Sequence, residues 1–147
     1  MQEKFLKTKI QHGKKLKSTI SKSVEPENCP VTLCLKVIGG KWKPVIIFLV
    51  KNKVNRFGAL QRAIPAITKQ MLTSQLRDLE MDGVIDRKIF TEVPPKVEYS
   101  LTGFGETLLP IIEKMKDWGE FASKSNSKAA KRIRKENSSS VPEPNRS

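Results

Sequence analysis

Residues 56–102 read RFGALQRAIPAITKQMLTSQLRDLEMDGVIDRKIFTEVPPKVEYSLT, and the order of signals in this stretch decides the fold. The clearest signals lie between Thr68 and Gly83. Threonine is a good N-cap because its hydroxyl oxygen can accept an orphan amide of the first helical turn. Glycine tolerates the left-handed conformation in which helices commonly stop. Between them Leu72, Leu76 and Leu79 follow the i, i+4, i+7 spacing of a single buried stripe. At about 100° per residue, Gln70, Thr73, Ser74 and Arg77 collect on the opposite side, with no acid among them. A helix that buries one side and offers amides, hydroxyls and a guanidinium on the other suits the edges of bases in the major groove. Lys69, Gln70, Thr73, Ser74 and Arg77 are therefore the candidate base-reading residues. An ordinary solvated helix face fits the same composition, and the segment after Gly83 separates the two readings.

After Gly83 the period changes from helical to two. Val84 to Val93 is rich in β-branched and apolar residues, and Val97, Tyr99 and Leu101 alternate with Glu98 and Ser100. Pro94 and Pro95 separate the two runs. Proline has no amide to donate, so the pair belongs at the tip of a hairpin, outside the ladder. Arg87, Lys88 and Lys96 flank that tip and, with Arg56, are the candidate phosphate contacts. A basic hairpin directly behind such a helix predicts a winged helix-turn-helix, mainly α with a small antiparallel β-hairpin wing. In that arrangement the wing lies along phosphates while the helix reads bases.

Charge supports a polyanionic partner, with double-stranded DNA the expected one. The 147 residues carry a formal net charge of +13, and no Asp or Glu occurs between Glu27 and Asp78. Nine bases fall in that acid-free interval, from Lys36 to Arg77, whereas Asp78 to Ser123 holds ten acids and five bases. Such a one-sided field is the footprint of a nucleic-acid partner. Enzyme classes fare poorly. The lone histidine, His12, falls in a polar arm, and Cys29 and Cys34 lack histidine partners for zinc. Ser-His-Asp, Cys-His and histidine-ligated metal chemistry are thereby excluded, and no cofactor is expected. With no apolar run long enough for a bilayer and no apolar core to a secretory leader, a cytoplasmic protein without a membrane partner is expected.

The expected organisation is a basic flexible arm over 1–28, a winged domain over 29–123 and a disordered basic tail over 124–147. The tail, rich in Ser, Lys and Pro, has almost nothing to bury. Helices are expected over Val31–Ile38, Lys41–Val50 and Ala59–Ala63, with Trp42, Val45, Ile46 and Leu49 turned to the core. Arg56-Phe57 reads as a very short third strand. Thr102 should cap a last helix reaching about Phe121, bent at Pro110. Its apolar residues Phe104, Leu108, Ile111, Ile112, Met115, Trp118 and Phe121 exceed what so small a domain can cover. The surplus predicts a homodimer interface, against the alternative of a helix folded back on its own core.

The runs CPVTLCLKVIGGKWKPVIIFL, residues 56–102 and LLPIIEKMKDWG together resemble the HxlR-type winged helix-turn-helix family of bacterial transcriptional regulators. The resemblance covers residues 29 to about 121, and GGKW, L-x-x-L-E-x-D-G and EVPPKVEYSLT carry it. It implies a homodimer on a pseudo-palindromic operator, with the terminal helices pairing the subunits. Ala59 departs from the pattern, which usually has Glu there. Cys29 coincides with the family's N-terminal cysteine, which in some members senses oxidants or electrophiles, so it is a candidate redox sensor. Its place before Pro30 at a helix start favours a thiolate, although a capping or packing role accounts for it equally well. The rival from another class is a winged helix used for protein contact, its basic arms docked on an acidic partner.

Overall fold

The structure, a computed structural model, describes residues 25–139. The expected N-terminal arm up to residue 24, and the chain beyond 139, lie outside the described residues. The chain divides between Gly40 and Lys41. In the first unit a short turn at Pro26–Asn28 leads into helix α1 (Pro30–Ile38), with Cys29 as N-cap and Pro30 in the first turn. Proline is suited to that position because its missing amide would be unpaired there anyway.

The second unit contains helices α2 (Lys43–Lys51), α3 (Phe57–Ala63) and α4 (Lys69–Met81), then strands β1 (Ile85–Phe90) and β2 (Lys96–Leu101). A short helix α5 (Gly103–Glu106), α6 (Leu109–Lys124) and α7 (Lys128–Ser139) complete it. The strands form one antiparallel hairpin, with Ile85 opposite Leu101 and Phe90 opposite Lys96. The winged helix-turn-helix expected from the sequence is the observed architecture.

The core gathers one side of each helix. Ile46, Ile47 and Val50 of α2, Leu60 of α3 and Leu72, Leu76 and Leu79 of α4 are buried, as are Val84 and Ile85 where the chain enters the wing. Pro44 is tolerated because it falls in the first turn of α2. Two expectations for this helix need correction. Val45 is exposed, and Trp42 is the half-buried N-cap residue, its ring under the Lys41 ammonium at 4.7 Å. The third strand expected at Arg56-Phe57 is absent from the described residues. Arg56 instead occupies the N-cap position of α3 without a side-chain capping bond, and the backbone contact to the hairpin comes one residue earlier, where Tyr99 N donates to Asn55 O at 2.8 Å.

The C-terminal half differs more. Thr102 does cap a helix, accepting from Gly105 N at 2.9 Å, but that helix is only α5. Pro110 lies in the first turn of a separate helix, α6, and so starts it instead of bending it. The expected disorder from residue 124 is also corrected, because residues 128–139 are helical. Ser127 Oγ accepts from Ala130 N at 3.1 Å and so caps α7, while Ala130 is fully buried. Arg134 donates to the carbonyls of Ser123 at 3.0 Å and Ser125 at 3.4 Å, satisfying acceptors left open at the end of α6. A small buried residue, a cap and one guanidinium thus anchor a segment whose composition reads as a tail.

Candidate nucleic-acid interface

The candidate reading helix, α4, is fixed at both ends. Thr68 Oγ1 accepts from Met71 N at 3.1 Å, and Gly83 takes the left-handed conformation at φ +71°. The Thr102 hydroxyl donates to Gly83 O at 2.5 Å, tying the end of α4 to the exit of the wing. Gly105 sits beneath this junction, and a Cβ on it would lie 2.0 Å from Val84 O. Sequence reasoning missed Gly105. Its signal was a glycine at the third position after the cap, where an ordinary helix former would serve unless space were lacking.

With the leucine stripe buried, Lys69, Gln70, Ser74 and Arg77 are exposed together. Thr73 is half-buried on the flank facing the wing, and its hydroxyl donates to Lys69 O at 2.8 Å. That hydroxyl has therefore spent its only proton within the helix, so Thr73 can offer a base its methyl group and an acceptor lone pair. On the other flank Asp78 is paired with Lys43 of α2 at 3.3 Å.

The period of two splits the expected wing cations between two faces. Arg87 stands opposite Tyr99 and lines a cleft of about 220 Å³ with Thr73, Arg77 and Glu80 of α4. Lys88 and Lys96 point to the other face, each ammonium 4.9 Å from the centre of the Phe90 ring. On that face Glu98 Oε1 receives Lys96 Nζ at 2.9 Å and Arg56 Nη2 at 3.4 Å. The Lys96 hydrogen bond, helped by the Lys96 and Arg56 charges, holds the Glu98 carboxyl below the ordinary glutamate value of 4.5. Lys96 and Arg56 thus sit beside a carboxylate, whereas Lys88 is exposed on the ring. The alternation that separates Arg87 from Lys88, and the i, i+2 pairing of Lys96 with Glu98, were both present in the sequence.

The seven apolar residues expected at a subunit interface do not share one face. Leu108 and Ile112 are buried within this chain. Phe104, Ile111, Met115, Trp118 and Phe121 are exposed, Trp118 and Phe121 by 66% and 68%. Ile111, Met115 and Trp118 line an open groove of about 780 Å³ with Pro110, Lys114 and Gly119. The helix is further held by a hydrogen-bonded ion pair between Lys51 of α2 and Glu113, which lowers the Glu113 carboxyl below its ordinary value. Cys29 and Cys34 are both free thiols, half-buried, the first at the N-cap and the second inside α1. Among the described residues no helix is long and apolar enough to cross a membrane.

Residues 37–127 match the family model of the HxlR-like helix-turn-helix. Two relatives from Bacillus subtilis (strain 168), the HTH-type transcriptional regulators YdeP and YybR, are 54% and 53% identical over 94 residues. Each alignment covers 64% of this chain, with 73% of YdeP and 75% of YybR. Among solved structures, the redox regulator HypR in its oxidized form is 50% identical with a TM-score of 0.62. That match covers 67% of this chain and 100% of HypR, and the reduced form of HypR matches at 49% identity with the same TM-score. These relatives are regulators. The chain belongs to the HxlR-like helix-turn-helix family and is a transcriptional regulator built on a winged helix-turn-helix domain.

Proposed function

We propose that the protein acts in the cytoplasm as a homodimer that recognises a pseudo-palindromic operator. The exposed face of α4 reads bases through Gln70, Thr73, Ser74 and Arg77, with Lys69 at its start. Arg87 and Lys88, with Arg56 and Lys96, meet phosphates. The observation that carries this reading is the division of α4 into a wholly buried leucine stripe and an exposed face of hydrogen-bonding groups around Arg77. A protein-docking surface would instead place aromatic anchors there, and that face has none. Phe104, Ile111, Met115, Trp118 and Phe121 supply the second subunit's contact surface, since large aromatic side chains left in water favour association. The test is to sequence the fragments that the purified protein retains from sheared genomic DNA. An inverted repeat with half-sites about 34–36 Å apart is expected. Retention without a recurring sequence would refute operator recognition.

A redox input through Cys29 is a second element of the proposal. The free, partly accessible thiol stands at the N-cap of α1, and HypR, 50% identical to this chain, is a redox regulator. Two Cys29 thiols, one from each subunit, would give two protons and two electrons to an oxidant such as diamide and form one S–S bond. Operator binding is compared after diamide treatment in the wild type and in Cys29→Ser. The wild type alone should respond, with dithiothreitol reversing the change. Equal responses in both proteins would remove Cys29 as the sensor.

A further inference from the structure

The family match ends at residue 127, and α7 begins at Lys128, so this helix lies outside the matched domain. At about 100° per residue, Lys128, Lys131, Arg132 and Lys135 fall within an arc of roughly 100°, and all four are exposed. The opposite side holds Ala130, which is buried, Ile133, half-buried, and Arg134, which is turned back onto the carbonyls of Ser123 and Ser125. The helix therefore uses its apolar side and one of its own cations to lock itself on α6. That anchoring fixes the direction in which the remaining four cations point, which a merely solubilising tail does not need. Among the described residues Glu136 alone in this helix is acidic, and it pairs with Arg132 at 3.2 Å.

Three partner classes can be weighed. A protein partner calls for apolar or aromatic anchors, and the exposed stripe has none. A membrane surface calls for an amphipathic helix whose apolar side is available to lipid, and here that side is occupied by α6. A duplex backbone calls for a line of cations and nothing else. The stripe from Lys128 to Lys135 is about 10 Å long by the helical rise, a length over which duplex DNA carries roughly six charges.

We propose that α7 is a second DNA-contacting element, a sequence-independent clamp on the phosphate backbone through Lys128, Lys131, Arg132 and Lys135. This rests on the DNA-binding reading and adds to the wing's phosphate contacts.

The experiment uses the full chain and a fluorescein-labelled random-sequence duplex, titrated at several salt concentrations. Changing the four residues to Gln (K128Q, K131Q, R132Q, K135Q) keeps an unbranched polar side chain of similar helix propensity while removing charge. The variant should bind at least about tenfold more weakly near 0.1 M salt, and its slope of log K against log salt should fall by up to about three to four per subunit. The charge-conserving counterpart (K128R, K131R, R132K, K135R) should retain both. Saturating duplex should also slow acetylation of Lys128, Lys131 and Lys135 in the wild type, a readout that holds even if the Gln variant loses its helix. Binding within twofold of wild type with an unchanged slope would overturn the proposal, as would lysines acetylated equally fast with and without duplex. Loss of binding to phosphatidylserine vesicles by the Gln variant, with duplex binding intact, would overturn it in favour of a membrane contact. A wild type that bound no duplex at low salt would bring down the DNA-binding reading as well. An unaffected Gln variant beside a salt-dependent wild type would remove only the clamp.

Discussion

Glu98 holds Lys96 and Arg56 on one carboxylate oxygen, so two cations of the wing region are partly neutralised before any phosphate arrives. Glu98→Gln should release both, raising affinity for random-sequence duplex and steepening the salt slope by about one per freed cation. Lys96→Ala should cost less than Lys88→Ala for the same reason, and fluorescence anisotropy at several salt concentrations checks both. The carboxyl's folded value lies below the ordinary 4.5, so its ionised form adds stability above that pH. The contribution is lost as pH falls through the depressed value, and an acid titration of Glu98→Gln should therefore be flatter than that of the wild type. Gly105 makes a separate single-residue prediction. Its Cβ would collide with the backbone at Val84, so Gly105→Ala should destabilise the domain by more than about 2 kcal/mol. Gly83→Ala meets no atom within 4 Å and should cost only the left-handed backbone term, about 1 kcal/mol. Urea unfolding of the two variants measures the contrast.

At the scale of elements, α4 and the hairpin were legible because their signals are local. Thr68 and Gly83 bound the helix, the leucine period places its buried side, and Pro94-Pro95 keep to the loop between the strands. Features set by tertiary fit were not legible. Pro110 can end, bend or begin a helix, and only the short α5 before it decides that it begins one. The helical 128–139 segment depends on Ala130 meeting a surface and on Arg134 meeting carbonyls contributed by the end of α6, neither of which composition records. Within the candidate site, the exposed side of α4 was legible from its period but the placing of the wing cations was not: Arg87 turns out to share a cleft with Arg77 and Glu80, apart from Lys88. The two faces of α6 allow a direct check. Ile112→Ala, within the chain's own core, should cost about 2–4 kcal/mol of folding stability. Trp118→Glu, on the exposed face, should leave folding nearly intact and weaken self-association about 100-fold or more. Sedimentation and chemical denaturation of both variants separate these effects, and a Trp118→Glu protein that stayed dimeric would move the subunit contact elsewhere.

In the whole molecule as proposed, sequence preference belongs to α4, general affinity to the wing and α7, and the two-fold repeat of the site to pairing through α6. Removing one α4 contact, as in Arg77→Ala or Gln70→Ala, should cost about 1–3 kcal/mol on the operator and relax discrimination at particular base pairs. Wing variants should instead weaken all DNA alike. The most direct measurement is a side-by-side sequencing of DNA selected from a random pool by the wild type and by the triple variant Gln70→Ala, Ser74→Ala, Arg77→Ala. The wild type should enrich an inverted repeat, and the triple variant should still bind the pool at low salt while enriching no repeat. Enrichment of the same motif by both proteins would contradict base reading by α4.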